Sequence, residues 1–95
     1  MRLHEVLWKE KFVNKIESKH EILIEEVEEV LFSKAYFLRA QKGIVKGEDL
    51  YVAYGQTGTG RYLTVFFIFK RKNVALPISA REMTKAERKF YEQKR

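Results

Sequence analysis

The sequence predicts a compact α+β domain, in which two N-terminal helices and one C-terminal helix accompany an antiparallel sheet of four to five strands. Three observations predict this class. Helical periodicity falls in residues 9–32 and 84–92, strand-like patterns fill residues 35–80, and the links between the predicted strands are short. Short links favour antiparallel pairing, because parallel neighbours need long crossovers. The predicted order is β-α-α-β-β-β-β-α.

The N-terminal third is predicted to hold a short strand and two helices. Residues 3–8 alternate weakly and form the first strand. Residues 9–19 carry their apolar residues on one face, which predicts a helix that ends where His20 breaks the pattern. Residues 24–32 are predicted to form a second helix, with an apolar stripe on one side and a solvent-exposed polar face on the other. That face carries four glutamates, Glu25, Glu26, Glu28 and Glu29.

A β-type composition begins after Ser33. Four strands are predicted, over residues 35–40, 50–54, 62–70 and 74–80. The stretch YLTVFFIF is apolar on both faces except for Thr64, so its strand is expected to be central and covered on both sides. Pro77 has no amide hydrogen to donate, so its strand should lie at an edge or carry a bulge there.

Glycines mark the links between these strands. Gly43 and Gly47 interrupt the first link, and residues 71–73 make a short turn before the last strand. The loop GQTGTG, residues 55–60, invites comparison with phosphate-binding loops, but those lead into a helix and carry Gly-Lys-Ser/Thr. Here Arg61 and a strand follow, so the loop is predicted to close a hairpin.

Length and composition indicate one domain, residues 1–95, with a modest core. The formal net charge of +6 suggests an anionic partner, although the charge could also serve solubility alone. Because there is no cysteine and only two histidines, thiolate and histidine-rich metal sites are excluded, and no cofactor is expected. The charged N-terminus is unlike a signal peptide, and no apolar run could cross a bilayer, so the cytoplasm is the expected location.

The last third holds the most informative motif, ISAREMTKAERKFYE, residues 78–92. Thr84 and Glu87 form a predicted capping box at the start of the last helix. Arg81 lies just before this helix, at the end of an apolar run, where it could bind a phosphate with two donors. The alternative for Arg81 is a salt bridge to Glu82 or Glu87.

Other candidate residues are weaker when taken one by one. Arg61 lies where the glycine-rich loop enters the central strand and is either a phosphate ligand or a solvated flank. Lys19 and His20 close the first helix, where the histidine could act as acid or base or simply end the helix. Trp8 is expected in the core rather than as a stacking platform for a base.

The last helix combines cations with aromatic residues, which is the general pattern of RNA-binding surfaces. Its candidate RNA ligands are Arg88 and Lys89, and Lys94 and Arg95 add to the charge. Tyr91 could stack on a base or bind a phosphate, or could only anchor the helix to the sheet together with its neighbour Phe90. A DNA-binding domain is a weaker alternative, because no helix-turn-helix pairing is present.

Taken in order, four segments resemble the BrnT family of ribonuclease toxins. They are the KH pair twelve positions after Trp8, the acidic segment VEEVLF, the hairpin YGQTGTGRYLTVFF and the closing motif ISAREMTKAERKFYE. The resemblance spans about residues 8–92, and the closing motif is its most specific part. It implies the toxin of a type II toxin–antitoxin pair, with a fold similar to the RelE toxins.

The resemblance implies metal-independent RNA cleavage and a tightly bound antitoxin protein, in a hetero-oligomer that typically represses its own operon by binding operator DNA. For such cleavage, Arg61 and Arg81 would hold the phosphate, and Lys19 would add a cation. His20 or Tyr91 would transfer protons, and Arg88 and Lys89 would bind the RNA.

The sequence departs from the family at several positions. An arginine is common in the family where this chain has Leu50, and a basic residue is common where it has Leu76-Pro77. A glycine usually follows the KH pair, where this chain has Glu21. Two cations of the family surface are therefore absent, which favours an alternative. In that alternative the chain is a weak or inactive member of the same fold that binds RNA or an antitoxin without cleavage.

Overall fold

A computed structural model describes residues 1–41, 43 and 47–95. The order of elements confirms the predicted α+β class and the predicted succession of strands and helices. The elements are β1 (Glu5–Val6), α1 (Glu10–His20), α2 (Ile24–Leu31), β2 (Tyr36–Gln41), β3 (Asp49–Gln56), β4 (Tyr62–Lys70), β5 (Val74–Glu82) and α3 (Lys85–Lys94).

The five strands form one sheet in the order β1-β5-β4-β3-β2. Strands β2 to β5 pair antiparallel with their neighbours, as their short links predict. The two-residue strand β1 runs parallel to β5, which makes the sheet mixed. This parallel partner is possible because two helices and three strands separate the pair along the chain, far more than a crossover requires.

Helices α1 and α2 cover one face of the sheet and enclose the main core. Ile16 of α1 and Val27 and Val30 of α2 are completely buried against Val65 and Phe67 of β4. Trp8 packs at the margin of this core, and its indole nitrogen donates a hydrogen bond of 2.8 Å to Glu28. The prediction that Trp8 belongs to the core is confirmed.

Strand β4 occupies the centre of the sheet, as its apolar sequence predicts. Its partner β5 carries a bulge, because Pro77 pairs with Phe67 and Ser79 pairs with Phe66, which leaves Ile78 unpaired. The expected irregularity at Pro77 is therefore confirmed. The bulge also resets which side chains of β5 face each side of the sheet.

Helix α3 lies on the opposite face, over one end of the sheet. Its capping box is present as predicted, since Thr84 Oγ1 accepts from the amide of Glu87 at 3.1 Å and Glu87 Oε1 accepts from the amide of Thr84 at 2.9 Å. Phe90 packs edge-on against Tyr36 and Tyr54, which fixes the helix to β2 and β3.

The hairpins are those expected from the sequence, with differences at their ends. The glycine-rich loop joins β3 to β4, and residues 71–73 join β4 to β5. Strand β5 continues beyond the predicted end to Glu82, so Arg81 belongs to the strand and pairs with Thr64. The predicted link at Gly43 and Gly47 falls partly outside the described residues. None of the described helices is long and apolar enough to cross a membrane.

Candidate functional site

A polar row crosses the α3 face of the sheet at the level where β5 ends. Tyr36 pairs with Tyr54, Tyr54 with Thr64, and Thr64 with Arg81. Because cross-strand partners share a face, the four side chains lie side by side beneath α3. Thr64, the polar exception in the otherwise apolar sequence of β4, is completely buried.

Arg81 and Glu87 form a two-pronged ion pair at the end of this row. Arg81 Nη1 donates to Glu87 Oε1 at 2.5 Å, and Nη2 donates to Oε2 at 2.7 Å. Thr64 Oγ1 also donates to Oε1, at 3.1 Å. Together with the amide of Thr84, the carboxylate of Glu87 therefore accepts four hydrogen bonds, which locks both its position and that of the arginine.

These contacts shift the ionisation of the neighbouring groups. Hydrogen bonds from Arg81 lower the pKa of Glu87 to about 2, against the opposing effect of burial, with further help from Thr84 and Thr64. The same pair raises the pKa of Arg81 above its ordinary value. Burial, and then the charge of Glu87, raise the pKa of Tyr54, so its phenol remains a proton donor.

Arg61 organises a second cluster on the opposite face, at the same end of the sheet. Its Nη1 donates to Glu26 Oε1 at 2.9 Å and to the carbonyl of Glu21 at 3.2 Å, while its Nε donates to Glu82 Oε2 at 3.1 Å. One guanidinium thus joins the end of α1, the first turn of α2 and the end of β5. Burial alone would lower the pKa of Arg61, but its hydrogen bonds to Glu82 and Glu26 raise it.

The KH pair lies next to this cluster. Helix α1 ends at His20, and Glu21 follows in the left-handed conformation with φ +53°. The carbonyl that Arg61 holds belongs to Glu21, so the arginine fixes the turn that presents Lys19 and His20. His20 is half-buried and Lys19 is exposed.

The two clusters share a design in which a glutamate in the first turn of a helix also holds an arginine. Glu26 accepts from the amide of Leu23 at 3.0 Å and pairs with Arg61. Glu87 does the same for the amide of Thr84 and for Arg81. Each arginine is thereby connected to a helix N-terminus as well as to a strand.

The remaining candidates lie along α3. Arg88 covers the ring of Tyr62, with its guanidinium carbon 4.0 Å from the ring centroid. Tyr91 is buried and meets Tyr62 edge-on at 6.1 Å, so it anchors the helix to β4. Lys89 is exposed.

The structure therefore divides the sequence-derived residues between the two faces of one sheet end. Arg61 lies beside Lys19 and His20 on the face of α1 and α2, whereas Arg81, Arg88 and Tyr91 lie on the face of α3. The sequence indicated Glu87 as the cap of α3 and as one of two possible partners of Arg81, but it did not indicate Tyr54 or the hydrogen bond from Thr64 to Glu87. The isolated Thr64 in an apolar strand was the available signal, because a buried hydroxyl requires a polar partner.

An apolar row follows farther along the α3 face. Leu50 pairs with Ile68, and Ile68 pairs with Leu76, so the two leucines that depart from the family pattern are neighbours across one strand. Their side chains are buried or half-buried. The positions at which the resemblance implied cations therefore form one continuous apolar strip.

Comparison with known proteins identifies the chain. A family model described as "Ribonuclease toxin, BrnT, of type II toxin-antitoxin system" matches residues 8–87. The chain belongs to the BrnT family. The match begins at Trp8 and ends at Glu87, so it includes Lys19, His20 and both arginines that organise the two clusters. No curated protein matches the chain.

Membership in the BrnT family confirms the resemblance drawn from the sequence motifs. The family is one of ribonuclease toxins from type II toxin–antitoxin systems, which implies RNA as the substrate and an antitoxin as the partner. Leu50 and Leu76 both lie within the matched range, so the apolar strip is a feature of a BrnT chain.

Proposed function

We propose that the chain is a metal-independent endoribonuclease, the toxin of a type II toxin–antitoxin pair that a cognate antitoxin neutralises. The observation that carries the proposal is the match to the BrnT family over a range that includes two rigidly held arginines at one end of the sheet. Preorganised cations of this kind stabilise charge that develops on a phosphate during its transfer.

The chemistry requires no metal. The 2′-hydroxyl attacks the adjacent phosphorus while a base removes its proton, and an acid protonates the departing 5′-oxygen, which yields a 2′,3′-cyclic phosphate and a free 5′-hydroxyl. Arg81 binds the phosphate oxygens from the α3 face, where Arg88 and Lys89 bind the rest of the RNA, while Arg61 and Lys19 add cations from the other face of the same end of the sheet.

His20 is the proposed group for proton transfer. It is half-buried at a helix end, and imidazole exchanges protons readily near neutral pH. Tyr91 was the other candidate from the sequence, but its burial against Tyr62 leaves little access to a substrate. Tyr54 is half-buried and shares a cross-strand row with Thr64 and Arg81, so it is a further candidate for the acid.

RNA cleavage by single variants tests the proposal. Arg81→Ala should lower the rate by about 10²–10³-fold, and His20→Ala by about 10²–10⁴-fold. Arg39→Ala is the matched control, because Arg39 is an exposed arginine of β2 whose ion pair among the described residues is a loose one with Asp49, at 3.6 Å. A chelator should leave the rate unchanged. Wild-type rates in both variants would contradict the assignment.

A second candidate is an RNA- or antitoxin-binding protein of the same fold without cleavage. The strip of Leu50, Ile68 and Leu76 favours it, because Leu50 and Leu76 stand where the resemblance to the family implies cations, and the strip they form is apolar. Expression without the antitoxin separates the two candidates. An active nuclease arrests growth, and the His20→Ala variant relieves the arrest, whereas an inert binding protein leaves growth unchanged in either form.

The partner implied by the family is a protein antitoxin, and the proposal extends to a toxin–antitoxin hetero-oligomer that binds operator DNA through the antitoxin. A positively charged surface with many aromatic residues suits an acidic or amphipathic antitoxin segment. Copurification of the chain with the product of an adjacent small gene tests this part of the proposal.

A further inference from the structure

We propose that Glu87 is a positioning residue, which holds one edge of the Arg81 guanidinium so that the other edge, Nε and the outer hydrogen of Nη2, binds the RNA phosphate. The inference rests on the proposed function, because it names how the α3 face would receive the substrate.

A guanidinium has five N–H donors in a rigid plane. Arg81 Nη1 uses its two hydrogens on Glu87 Oε1 and on the carbonyl of Glu82, and Nη2 uses one on Glu87 Oε2. Among the described residues, no acceptor takes the Nε hydrogen or the second hydrogen of Nη2. These two donors lie along one edge of the plane, with the spacing that suits two oxygens of one phosphate.

The orientation of this edge is fixed by Glu87, by the carbonyl of Glu82 and by the ring of Phe66. Glu87 cannot rotate, because it also accepts from the amide of Thr84 and from the hydroxyl of the buried Thr64. The guanidinium carbon lies 5.5 Å from the centre of the Phe66 ring, which supports the plane from the sheet side. About a third of the Arg81 side chain stays exposed, 32%, against 18% for Glu87. The arginine is therefore the accessible partner.

Two roles for Glu87 make opposite predictions. A carboxylate that only neutralised Arg81 would repel RNA, so its removal would tighten binding and leave turnover unchanged. A carboxylate that positions Arg81 supports the transition state, since a misplaced charge loses most of its effect. Glu87→Gln should then lower kcat by about tenfold or more without raising KM.

A double-mutant cycle isolates this effect. In the Arg81→Ala background, Glu87→Gln should cause no further loss of kcat, because the glutamate acts only through the arginine. Thr84→Ala is the matched control, since it removes the other half of the capping box, leaves the backbone amide for Glu87, and should preserve kcat. Additive losses in the cycle, or an unchanged kcat in Glu87→Gln, would overturn the inference.

A second measurement on the unmodified chain does not depend on cleavage. The ¹H–¹⁵N signal of Arg81 Nε should shift when a 2′-O-methyl oligoribonucleotide, which cannot be cleaved, is added. If wild type cleaves no RNA but this signal shifts, the nuclease proposal fails and the binding edge stands. If the oligonucleotide binds without moving the signal, or does not bind at all, the binding edge is wrong.

Discussion

At the scale of single residues, Glu87 performs three tasks with one carboxylate. It caps α3, accepts from the buried hydroxyl of Thr64 and pairs with Arg81. All three depend on its negative charge or its acceptor capacity. Protonation of this one group therefore weakens the hydrogen bond to β4, the cap of α3 and the ion pair with Arg81 together.

Stability should therefore depend on this carboxyl below neutral pH. Its pKa is about 2 in the folded chain and about 4.5 ordinarily, so the folded state binds the proton less tightly than the unfolded state. The stabilisation is complete above pH 4.5 and is lost as the pH falls towards 2. Because Arg81 is partly exposed, a discounted magnitude is on the order of 2 kcal/mol.

Urea unfolding of wild type and Glu87→Gln at several pH values measures this contribution. The difference in unfolding free energy should be about 2 kcal/mol at pH 7 and should approach zero near pH 2. Glu25→Gln, which removes an exposed carboxylate of α2, is the control and should show no such trend. A difference that stayed constant with pH would refute the linkage.

Residue roles that depend on contacts between neighbours in sequence were predictable. Roles that depend on contacts between residues far apart in sequence were not. The pairing of Thr84 with Glu87 spans three positions and could be read directly. The salt bridge of Arg81 was one of two readings left open, and the partner proved to be Glu87. Arg61 and Glu26 are far apart along the chain, so only the fold reveals their pairing.

The backbone conformation of Glu21 gives a physical reason why the family pattern has a glycine at this position. The position that follows the KH pair has φ +53°, a conformation that costs a residue with a side chain about 1–2 kcal/mol and that glycine adopts freely. The hydrogen bond from Arg61 to the carbonyl of Glu21 offsets part of this cost.

At the scale of elements, α2 and β3 approach each other closely at a glycine. Gly55 of β3 faces Val30 of α2, and a methyl group at Gly55 would lie 2.8 Å from Val30 Cγ1. The absence of a side chain at this position lets the helix approach the sheet closely.

Gly55→Ala should therefore destabilise the fold by about 1–3 kcal/mol, as overpacked cores do. Gly58→Ala is the matched control, because a methyl group there meets the far end of the flexible Glu29 side chain, which can turn away, and its effect should stay below about 0.5 kcal/mol. Thermal or urea unfolding measures both. Equal effects at the two positions would contradict the packing argument.

Element positions were predictable where periodicity is strong. Strand β4 has the predicted ends, because the arginines Arg61 and Arg71 bound its apolar run on both sides. Strands β3 and β5 run longer than predicted, since pairing with β4 continues through polar residues such as Gln56 and Glu82. The direction of β1 could not be read, because two residues carry no register information.

At the scale of the whole molecule, charge is unevenly distributed. Helix α2 carries four glutamates and no cation, whereas α3 carries Lys85, Arg88, Lys89 and Lys94. The net charge of +6 is therefore concentrated away from α2, and RNA should approach the α3 side.

Binding of a single-stranded RNA should weaken steeply with salt. Each neutralised phosphate contributes about −0.7 to the slope of log K against log salt concentration, so three to five contacts give about −2 to −3.5. Arg88→Gln combined with Lys89→Gln should flatten the slope by about 1.4, whereas Glu25→Gln should leave it unchanged. An affinity independent of salt would contradict a phosphate-dominated interface.

The division of the site between two faces was beyond sequence reasoning. Neighbouring residues of a strand point to opposite faces of the sheet. Arg81 and Glu82 of β5 therefore belong to different clusters, one with Glu87 and the other with Arg61. Family position supplied the residues of the candidate site, but only the register of the folded sheet shows which of them meet.

The pairing of β1 with β5 has a consequence for how the chain is made. Glu5 meets Val74 and Val6 meets Ala75, so the first strand cannot pair with β5 until Val74 and Ala75 have emerged from the ribosome. Contacts between residues so far apart in sequence are slow to form, so we expect this chain to fold more slowly than a helical bundle of similar length. The ion pair of Arg81 with Glu87 forms later still, because Glu87 is translated after both strands of that pair.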